Sequence, residues 1–296
     1  MANSTPLRFA VHVAPPIPCV DFVNNVPEGH YWSPISCTLV YSDTEAVLVD
    51  TPITINQTKD LIAWIEKIAP KRKLSYIYIT HGHADHFLGL SQLIQRFPEA
   101  VALATKGTIE HIKQQLGEEY FANTWEAFFP GGQIYKPITE PKPLPDSNEF
   151  KLQGRWLFQA IEVGHSDTFD STVLWVPDLK LAVCGDVIYG EVHQMLLEAN
   201  TKSKREEWIR AVEKVEALNP VYVVPGHKKA EEPDGAWHLA TTKKYLLDWG
   251  DILRKSPKEP QDLAEEMTKL YPNRSNTMPV LWSAGGAFMD QELAKI

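Results

Sequence analysis

The chain has 296 residues, of which 44% are hydrophobic and 23% are charged, enough for one large domain or two small ones. The formal net charge is −9 and no basic stripe runs along the sequence, so nucleic acid is not an expected partner. No apolar stretch approaches the ~20 residues that span a bilayer, and the three cysteines form neither a disulfide framework nor a Cys-x-x-Cys pair.

Neither end of the chain resembles a targeting signal. The segment Met1–Pro6 lacks a charged region followed by a long apolar region, and Ala294–Ile296 matches no lipidation signal. We therefore expect a cytoplasmic protein without membrane contact. The sequence leaves the oligomeric state open, a homodimer included.

Strand and helix patterns alternate through the first half of the chain. They predict strands at Arg8–Val13, Cys37–Tyr41, Ala46–Asp50, Tyr76–Thr80 and Ala100–Ala104, and helices at Asn56–Ala69, Phe87–Phe97 and Lys106–Phe129. The segment Val26–Trp32 has the composition of a loop. Its Tyr31 and Trp32 either form the wall of a pocket or pack into the core.

The second half repeats this alternation after a proline-rich connection, Lys136–Glu149. Strands are predicted at Trp156–Val163, Thr172–Val176, Leu181–Cys184 and Val221–Val224, and helices at Ser203–Leu218, Ala236–Leu253 and Gln261–Leu270. Ser203 is the predicted N-cap of its helix, because Glu206 completes a capping-box pattern. The segment Glu191–Asn200 carries Met195 and Leu196, which either line a substrate pocket or belong to a short buried helix.

These elements predict a single domain across residues 1–296. Its two βα halves join near residues 136–150, and C-terminal helices begin at about residue 234. Because each sheet needs helices to cover its outer face, this α/β pattern predicts a four-layer αββα sandwich with a helical C-terminal part.

The segment Thr80–His86 concentrates metal-binding side chains directly after a predicted buried strand. It holds the imidazoles of His81, His83 and His86 and the carboxylate of Asp85. Imidazole and carboxylate are ligand types that zinc selects, and four of them in six residues are not explained by packing. His81 and His83 point the same way in an extended segment and can share one ion, whereas Asp85 and His86 suit a second ion nearby.

A His-x-His-x-Asp-His motif after a strand resembles the signature of the metallo-β-lactamase superfamily. That family has three more ligands downstream, in the order His, Asp, His, each at the end of a strand. The sequence has His165, Asp186 and His227 after apolar runs that end in glycine. The resemblance spans roughly Glu45 to Lys228 and implies the αββα fold.

The resemblance also implies a complete set of ligands for two metal ions. It implies that one ion is bound by His81, His83 and His165, that the other is bound by Asp85, His86 and His227, and that Asp186 bridges the two. An aspartate at position 50 is frequent in the family as a structural group near the metal loop.

Metal-dependent hydrolysis is the activity that this resemblance implies. Two close dications lower the pKa of a shared water, which makes hydroxide available near neutral pH. Ligands without thiolate favour two zinc ions, and iron, manganese or cobalt would also fit. Redox chemistry is disfavoured, because diiron flavoprotein relatives usually have Glu where His83 stands and a persulfide dioxygenase uses one iron and fewer ligands.

Tyr189, three residues after Asp186, favours a lactonase among the members of the family. Acyl-homoserine lactonases have a tyrosine at this spacing, which helps to hold the substrate carbonyl or the oxyanion. We expect a metal-bridging hydroxide to open a cyclic ester or cyclic amide, with Asp85 relaying the proton to the leaving group. The apolar and aromatic candidate pocket residues favour an uncharged cyclic or aromatic small molecule as substrate.

Three other functions stay open. Lys228 and Lys229 could bind glutathione in a thioester hydrolase of the glyoxalase II type. β-Lactamase-like activity is a further alternative, although known β-lactamases are secreted and many have Cys where Asp186 stands. A binding protein on a degenerate enzyme fold is disfavoured by the complete ligand set. The motif at His165 also departs from the form frequent in lactonases and glyoxalases, because Asp167 replaces the usual proline.

Overall fold

Residues 6–20 and 30–293 are described by the structure, which is a computed structural model, and the side chains of residues 290–293 are not. The expectations for residues 1–5, for the 26–29 part of the predicted loop and for residues 294–296 therefore lie outside the described residues. Among the described residues no helix is long and apolar enough to cross a membrane.

Most of the predicted strands are confirmed, with boundaries shifted by a few residues. The strands are β1 (Arg8–Ala14), β2 (Ile17–Pro18), β3 (Tyr31–Trp32), β4 (Ile35–Tyr41), β5 (Glu45–Val49), β6 (Lys73–Tyr78), β7 (Val101–Ala104), β8 (Lys142–Pro143), β9 (Glu149–Leu152), β10 (Trp156–Gly164), β11 (Ser171–Val176), β12 (Leu181–Val183) and β13 (Tyr222–Val224).

The long strands form two sheets, one from each half of the chain. The first sheet has the order β1-β4-β5-β6-β7-β8, and the second has the order β13-β12-β11-β10-β9. Strands β5 to β8 run parallel to one another, and so do β12 and β13, whereas the other neighbouring pairs in these sheets are antiparallel. Parallel neighbours end at the same edge of a sheet, so the loops that follow them meet there.

Helices fill the connections between strands and follow the last strand. They are α1 (Ile55–Ile68), α2 (Leu90–Arg96), α3 (Lys106–Gln115), α4 (Glu118–Asn123), α5 (Trp125–Phe128), α6 (Lys202–Ala217), α7 (Trp237–Arg254), α8 (Pro260–Leu270) and α9 (Met278–Leu293).

Three helix predictions need correction. The single helix predicted over Lys106–Phe129 is divided into α3, α4 and α5, with breaks near Gly117 and Thr124. Helix α6 begins after Thr201, whose side chain accepts a hydrogen bond from the Lys204 N–H, so Ser203 is not the N-cap. Thr201 has the extended backbone that an N-cap requires, and Ser203 already lies inside the helix. Helix α9 was not predicted, because Gly285 and Gly286 lower its intrinsic helix propensity and apolar residues lie on most of its sides.

The predicted four-layer αββα sandwich is confirmed by the three regions of the core. Between the sheets, Val47 and Tyr78 of the first sheet belong to the same apolar cluster as Phe158 and Leu174 of the second. A second cluster lies between the first sheet and α1 to α5, and a third lies between the second sheet and α6 to α9. Each sheet therefore buries one face against the other sheet and one against helices.

A polar contact ties the two sheets together beside the predicted metal loop. The Thr80 carbonyl accepts hydrogen bonds from the Thr172 N–H at 3.0 Å and from Thr172 Oγ1 at 2.6 Å. The hydroxyl of Tyr78 lies 2.6 Å from the same Thr172 Oγ1. The end of β6 is thus held against the start of β11, and side chains from both sheets meet at this edge.

Candidate metal centre

Loops that follow β6, β10, β12 and β13 place imidazoles and carboxylates at one edge of the sandwich. His81 and His83 follow β6, and Asp85 and His86 lie in the short 3-10 turn Ala84–His86. Asp186 and His227 come from loops after two strands of the second sheet. Asp186 lies in the 3-10 turn after β12, and His227 lies in the loop after β13.

The first group consists of His81, His83 and Asp167. One ligand atom from each lies within 4.8 Å of the other two. Asp167 Oδ2 is 2.9 Å from His83 Nδ1 and 3.9 Å from His81 Nε2. Asp167 comes from the loop between β10 and β11, so this group joins the two halves of the chain.

The second group consists of Asp85, His86 and His227, and one ligand atom from each of them also lies within 4.8 Å of the other two. Nε2 of His86 is 3.4 Å from Nε2 of His227, and Asp85 Oδ2 is 3.5 Å from that His227 atom. Asp186 also contacts this group. Its Oδ1 is 3.1 Å from His86 Nε2, and its Oδ2 is 3.1 Å from His227 Nε2.

Asp186 is shared between the two groups. It also forms a cluster of potential ligands with His81 and His86. A carboxylate has two oxygens and can contact two cations at once, as the predicted bridging role requires. The structure therefore brings six of the seven predicted ligands together.

His165 is the seventh predicted ligand, and it lies apart from these groups. Among the described residues it belongs to no group of three potential ligands within 4.8 Å, and its side chain is half-buried. Asp167, predicted only as a departure from the family motif, contacts the first pair of histidines instead.

Hydrogen bonds outside the cluster orient several imidazoles. His86 Nδ1 is 3.1 Å from Asp50 Oδ2, and His227 Nδ1 donates to the Pro34 carbonyl at 2.7 Å. His81 Nδ1 is 3.0 Å from Thr80 Oγ1. In each ring the other nitrogen faces the cluster, an arrangement that is usual for metal-binding histidines.

The cluster is electrostatically prepared for a cation. Burial alone would lower the pKa of His86. The nearby carboxylates of Asp186 and Asp85 raise this pKa by more than burial lowers it, so the pKa lies well above its ordinary value. Burial raises the pKa of Asp186, but His227 and His86 hold it well below its ordinary value. Carboxylates that stay ionised in a buried site attract positive charge, either as protons on the imidazoles or as metal ions.

Unpaired buried atoms provide a test of whether metal ions fit here. His81 Nε2 is buried without a hydrogen-bond partner among the described residues. The buried oxygens Asp167 Oδ2 and Asp186 Oδ1 lie against imidazole nitrogens that are themselves potential metal ligands, at 2.9 Å from His83 and 3.1 Å from His86. A buried polar atom without a partner is costly, and a cation bound by all three would remove that cost. The residues present therefore fit one or more metal ions with nitrogen and oxygen ligands.

An apolar cavity of about 330 Å³ opens directly above the cluster. Residues from the metal loops, α3 to α5, the segment before α6 and α9 surround it. Its aromatic and aliphatic lining comprises Trp32, Tyr120, Trp125, Phe128, Tyr189, Met195, Leu197, Met278, Pro279, Leu281, Trp282 and Met289. The described lining residues include no Lys or Arg.

The structure separates the predicted pocket residues into two kinds. Trp32 and Met195 line the cavity, which is one of the two alternatives that the sequence left open for each, and Trp32 also belongs to an apolar core cluster. Tyr31 does not, because alternate residues of β3 face opposite ways, and it lies 48% exposed in a different cleft. Leu196 is fully buried in the core, and its neighbour Leu197 faces the cavity instead.

Two contacts to the cluster were not predicted from the sequence. The indole N–H of Trp32 donates to Asp85 Oδ2 at 2.9 Å. Glu198 Oε1 lies 3.1 Å from His83 Nε2, while Glu198 Oε2 accepts a hydrogen bond from Thr168 at 2.6 Å. The sequence contains no periodic signal for either contact, because the partners are 53 and 115 residues apart.

Glu198→Gln is expected to weaken metal binding by about 10-fold to 100-fold, because outer carboxylates orient ligating histidines and raise their basicity. Zinc affinity measured by competition with a chelator tests this expectation. Glu191→Gln is a matched control, since that carboxylate lies in the same segment but pairs with Lys229. Equal affinities of both variants and the unmodified protein would contradict a role for Glu198.

Comparisons with known proteins agree with this geometry. Residues 30–227 match the family model of the metallo-beta-lactamase superfamily. A metallo-beta-lactamase type 2 of Bacteroides fragilis is 26% identical over 210 residues, which is 68% of this chain and 71% of the relative. A hydroxyacylglutathione hydrolase of Synechococcus sp. (strain CC9605) is 37% identical over only 71 residues, which is 24% of this chain and 26% of the relative.

Solved structures with low sequence identity share the fold. A metallo-beta-lactamase from Pontibacter korlensis superposes with a TM-score of 0.56 and 18% identity, over 83% of this chain and 98% of the other. The mono-zinc form of the metallo-beta-lactamase FIM-1 from Pseudomonas aeruginosa has a TM-score of 0.54 and 18% identity, over 82% of this chain and 96% of the other.

Proposed function

The chain belongs to the metallo-β-lactamase superfamily, and we propose that it is a dinuclear zinc hydrolase that opens a small, uncharged lactone or lactam. Membership of this superfamily and the clusters of potential ligands support a metal-dependent hydrolase. One observation carries the choice of substrate. The cavity above the clusters is apolar, rich in aromatic side chains and without Lys or Arg among its described lining residues.

Six predicted residues would hold the ions, and all six are brought together: His81, His83, Asp85, His86, Asp186 and His227. Two bound dications supply hydroxide near neutral pH and polarise a carbonyl oxygen, and this combination suits hydrolysis of an acyl bond.

The cavity favours an uncharged ring over an anionic substrate. A carboxylate or phosphate brought into a low-dielectric pocket needs a cationic partner, and away from the metal-binding residues the described lining offers no Lys or Arg for that role. Aromatic walls such as Trp125 and Trp282 instead stack against flat rings. The volume of about 330 Å³ lies near the lower end for ligand pockets, so the substrate is small.

Lysines considered for glutathione binding are engaged elsewhere. Lys228 is buried, and its Nζ donates to the Glu232 carbonyl and pairs with Asp234 at 2.8 Å. Lys229 Nζ pairs with Glu191 at 3.0 Å. These contacts argue against a thioester hydrolase of the glyoxalase II type. That function stays the second candidate because of the partial match to a hydroxyacylglutathione hydrolase.

Side chains of the protein would handle charge and protons around the reacting carbonyl. Burial and the neighbouring Asp186 carboxylate raise the pKa of Tyr189 well above its ordinary value, so its hydroxyl stays protonated and can donate. That hydroxyl donates to Asp186 Oδ2 at 2.5 Å and faces the cavity. Asp85 also faces the cavity, where it could carry the proton to the leaving oxygen or nitrogen.

Substrate competition tests the proposed function. The zinc-loaded protein is assayed against uncharged aromatic lactones and lactams, a carboxylate-bearing β-lactam and a glutathione thioester. We expect kcat/KM to be highest for an uncharged ring and lower by about 10²-fold or more for the anionic compounds, since the cavity wall away from the metal-binding residues has no Lys or Arg to pair with their charge. Faster hydrolysis of the glutathione thioester, with competition by S-substituted glutathione, would favour the second candidate.

Tyr189→Phe is expected to lower kcat by roughly 10²-fold or less while both metal ions are retained. The change removes only the hydroxyl that donates to Asp186 and that could donate to the oxyanion. Steady-state kinetics and metal content of the same sample measure the two effects. An unchanged kcat would mean that Tyr189 serves only in packing, where it contacts Trp208 and His227.

Trp32→Phe is expected to lower kcat/KM by about 10-fold to 100-fold, because a hydrogen bond to a charged group contributes about 1.5–3 kcal/mol. Phenylalanine keeps an aromatic ring against Trp125 and Phe128 but cannot donate to Asp85. Trp125→Phe is the matched control, because its indole N–H donates to Gln115 and not to the cluster. Equal losses in both variants would assign the effect of Trp32 to the cavity wall.

A further inference from the structure

We propose that Asp167, and not His165, completes the first metal group with His81 and His83. The proposal rests on the proposed metal-dependent hydrolase and defines the ligands of one of its two ions. The resemblance to the family implied three histidines at this position. The geometry points to two histidines and one aspartate.

The distances at Asp167 suit ligands of a single ion. Ligand atoms at about 2.1 Å from a tetrahedral zinc ion lie about 3.4 Å from each other. The distances from Asp167 Oδ2, 2.9 Å to His83 Nδ1 and 3.9 Å to His81 Nε2, lie on either side of that value. His165 meets no pair of potential ligands at such distances among the described residues.

Burial also favours Asp167 over His165. His165 is half-buried and likewise has a buried ring nitrogen, Nδ1, without a hydrogen-bond partner among the described residues. The side chain of Asp167 is 1% exposed, and its Oδ2 lies 2.9 Å from Nδ1 of His83. Its Oδ1, in contrast, accepts a hydrogen bond from Ser166 Oγ at 2.8 Å. One oxygen is therefore fixed by the loop, and the other is left for a cation between it and the unpaired Nε2 of His81.

The backbone explains why the aspartate, and not the histidine, reaches the cluster. Strand β10 ends in a register shift between Glu162 and Gly164, and Gly164 has a φ of +91°, which suits glycine. The loop then closes with a hydrogen bond from the Ser166 N–H to the Thr168 carbonyl at 2.8 Å. His165 leaves the strand before this turn, whereas Asp167 lies within it.

The start of β11 fixes the distance from this turn to the metal loop. The N–H and the Oγ1 hydroxyl of Thr172 both donate hydrogen bonds to the carbonyl of Thr80, which is the residue directly before His81. Ser171 Oγ donates to the Thr168 carbonyl at 3.0 Å, which holds the turn against this anchor. These contacts hold the turn that contains Asp167 against the metal loop.

An aspartate in this position lowers the net charge of the centre by one unit relative to a histidine. Two imidazoles and one carboxylate also form a harder ligand set than three imidazoles, and this set suits iron and manganese as well as zinc. Metal affinity in this group should therefore depend on a carboxylate that the family motif does not contain.

Metal content of three variants tests the assignment. After zinc loading and dialysis, we expect about two ions per chain for the unmodified protein and for His165→Ala, and about one for Asp167→Asn. Asp170→Asn is the matched control, because this carboxylate lies in the same loop and is exposed. Loss of an ion by His165→Ala, or two ions retained by Asp167→Asn, would overturn the assignment.

Asp167→His decides the question if Asp167→Asn does not fold. X-ray absorption spectroscopy at the zinc edge counts imidazoles, and we expect this variant to hold two ions with one more imidazole per chain. An unchanged imidazole count would overturn the assignment. A protein that holds two ions but opens no lactone or lactam would contradict the proposed function and leave the role of Asp167 intact.

Discussion

His83→Ala should lose metal from the first group and abolish nearly all hydrolysis. The side chain of His83 contacts Asp167 through Nδ1 and Glu198 through Nε2, so its removal leaves the buried Asp167 and the half-buried Glu198 without their shared partner. Removal of one group that stabilises a transition state already costs about 10²-fold to 10³-fold in kcat. Loss of a metal ion removes more of the transition-state stabilisation than this, and we expect turnover to fall by at least about 10³-fold.

Metal content and turnover of one sample measure this effect together. His12→Ala is the control, because that imidazole lies on β1 and packs on Trp64, away from the clusters. Circular dichroism shows whether each variant is folded. Full turnover of folded His83→Ala with its metal retained would contradict both the metal centre and the hydrolase.

The resemblance to the family motif predicted most of the centre, and the ends of strands explain why its ligands meet. Each of His81, Asp186 and His227 follows a run of buried apolar residues, and the carboxyl ends of neighbouring strands meet at one edge of a sheet. Apolar periodicity, which is a local pattern, predicted the strands and most helices. Their alternation along the chain predicted the sandwich.

Residues that reach the centre from a turn were harder to predict. The Gly-His pair at His165 matches the family motif in the sequence. The register shift at the end of β10, however, alters which residue of the following loop faces the metal loop. This shift becomes visible only when β10 is paired with β11. Linear spacing therefore indicated His165, whereas the pairing of the hairpin brings Asp167 to His83.

The part of the cavity wall formed by α9 was missed for a different reason. Helix α9 supplies Met278, Trp282 and Met289 to this wall, yet its two glycines give it a weak intrinsic preference for helix. Packing against α8 and the second sheet stabilises it instead, since buried Val280 and Ala284 belong to the same apolar cluster as Leu263. Apolar residues lie on most sides of this helix, so no polar face marks its period in the sequence.

Gly226→Ala is expected to disrupt the centre without removing any ligand. A Cβ at this position would lie 2.2 Å from Asp186 Oδ1 and 2.6 Å from the backbone of Gly185. Backbone atoms cannot move aside cheaply, because the Gly226 N–H also donates to the Gly185 carbonyl at 2.8 Å. Asp186 would therefore be displaced from between the two groups, and overpacking of this kind costs about 1–3 kcal/mol of folding free energy.

Metal content and thermal unfolding separate the two consequences of Gly226→Ala. We expect loss of at least one of about two ions and a fall in the melting temperature of the metal-free protein by a few degrees. Gly250→Ala in α7 is the matched control, because its Cβ meets only a side-chain nitrogen of Arg254 at 3.8 Å, and alanine favours a helix over glycine by about 1 kcal/mol. If Gly226→Ala kept both ions and full turnover, Asp186 could not be a ligand shared by the two groups, because the added methyl group leaves its Oδ1 no room in the position that this role requires.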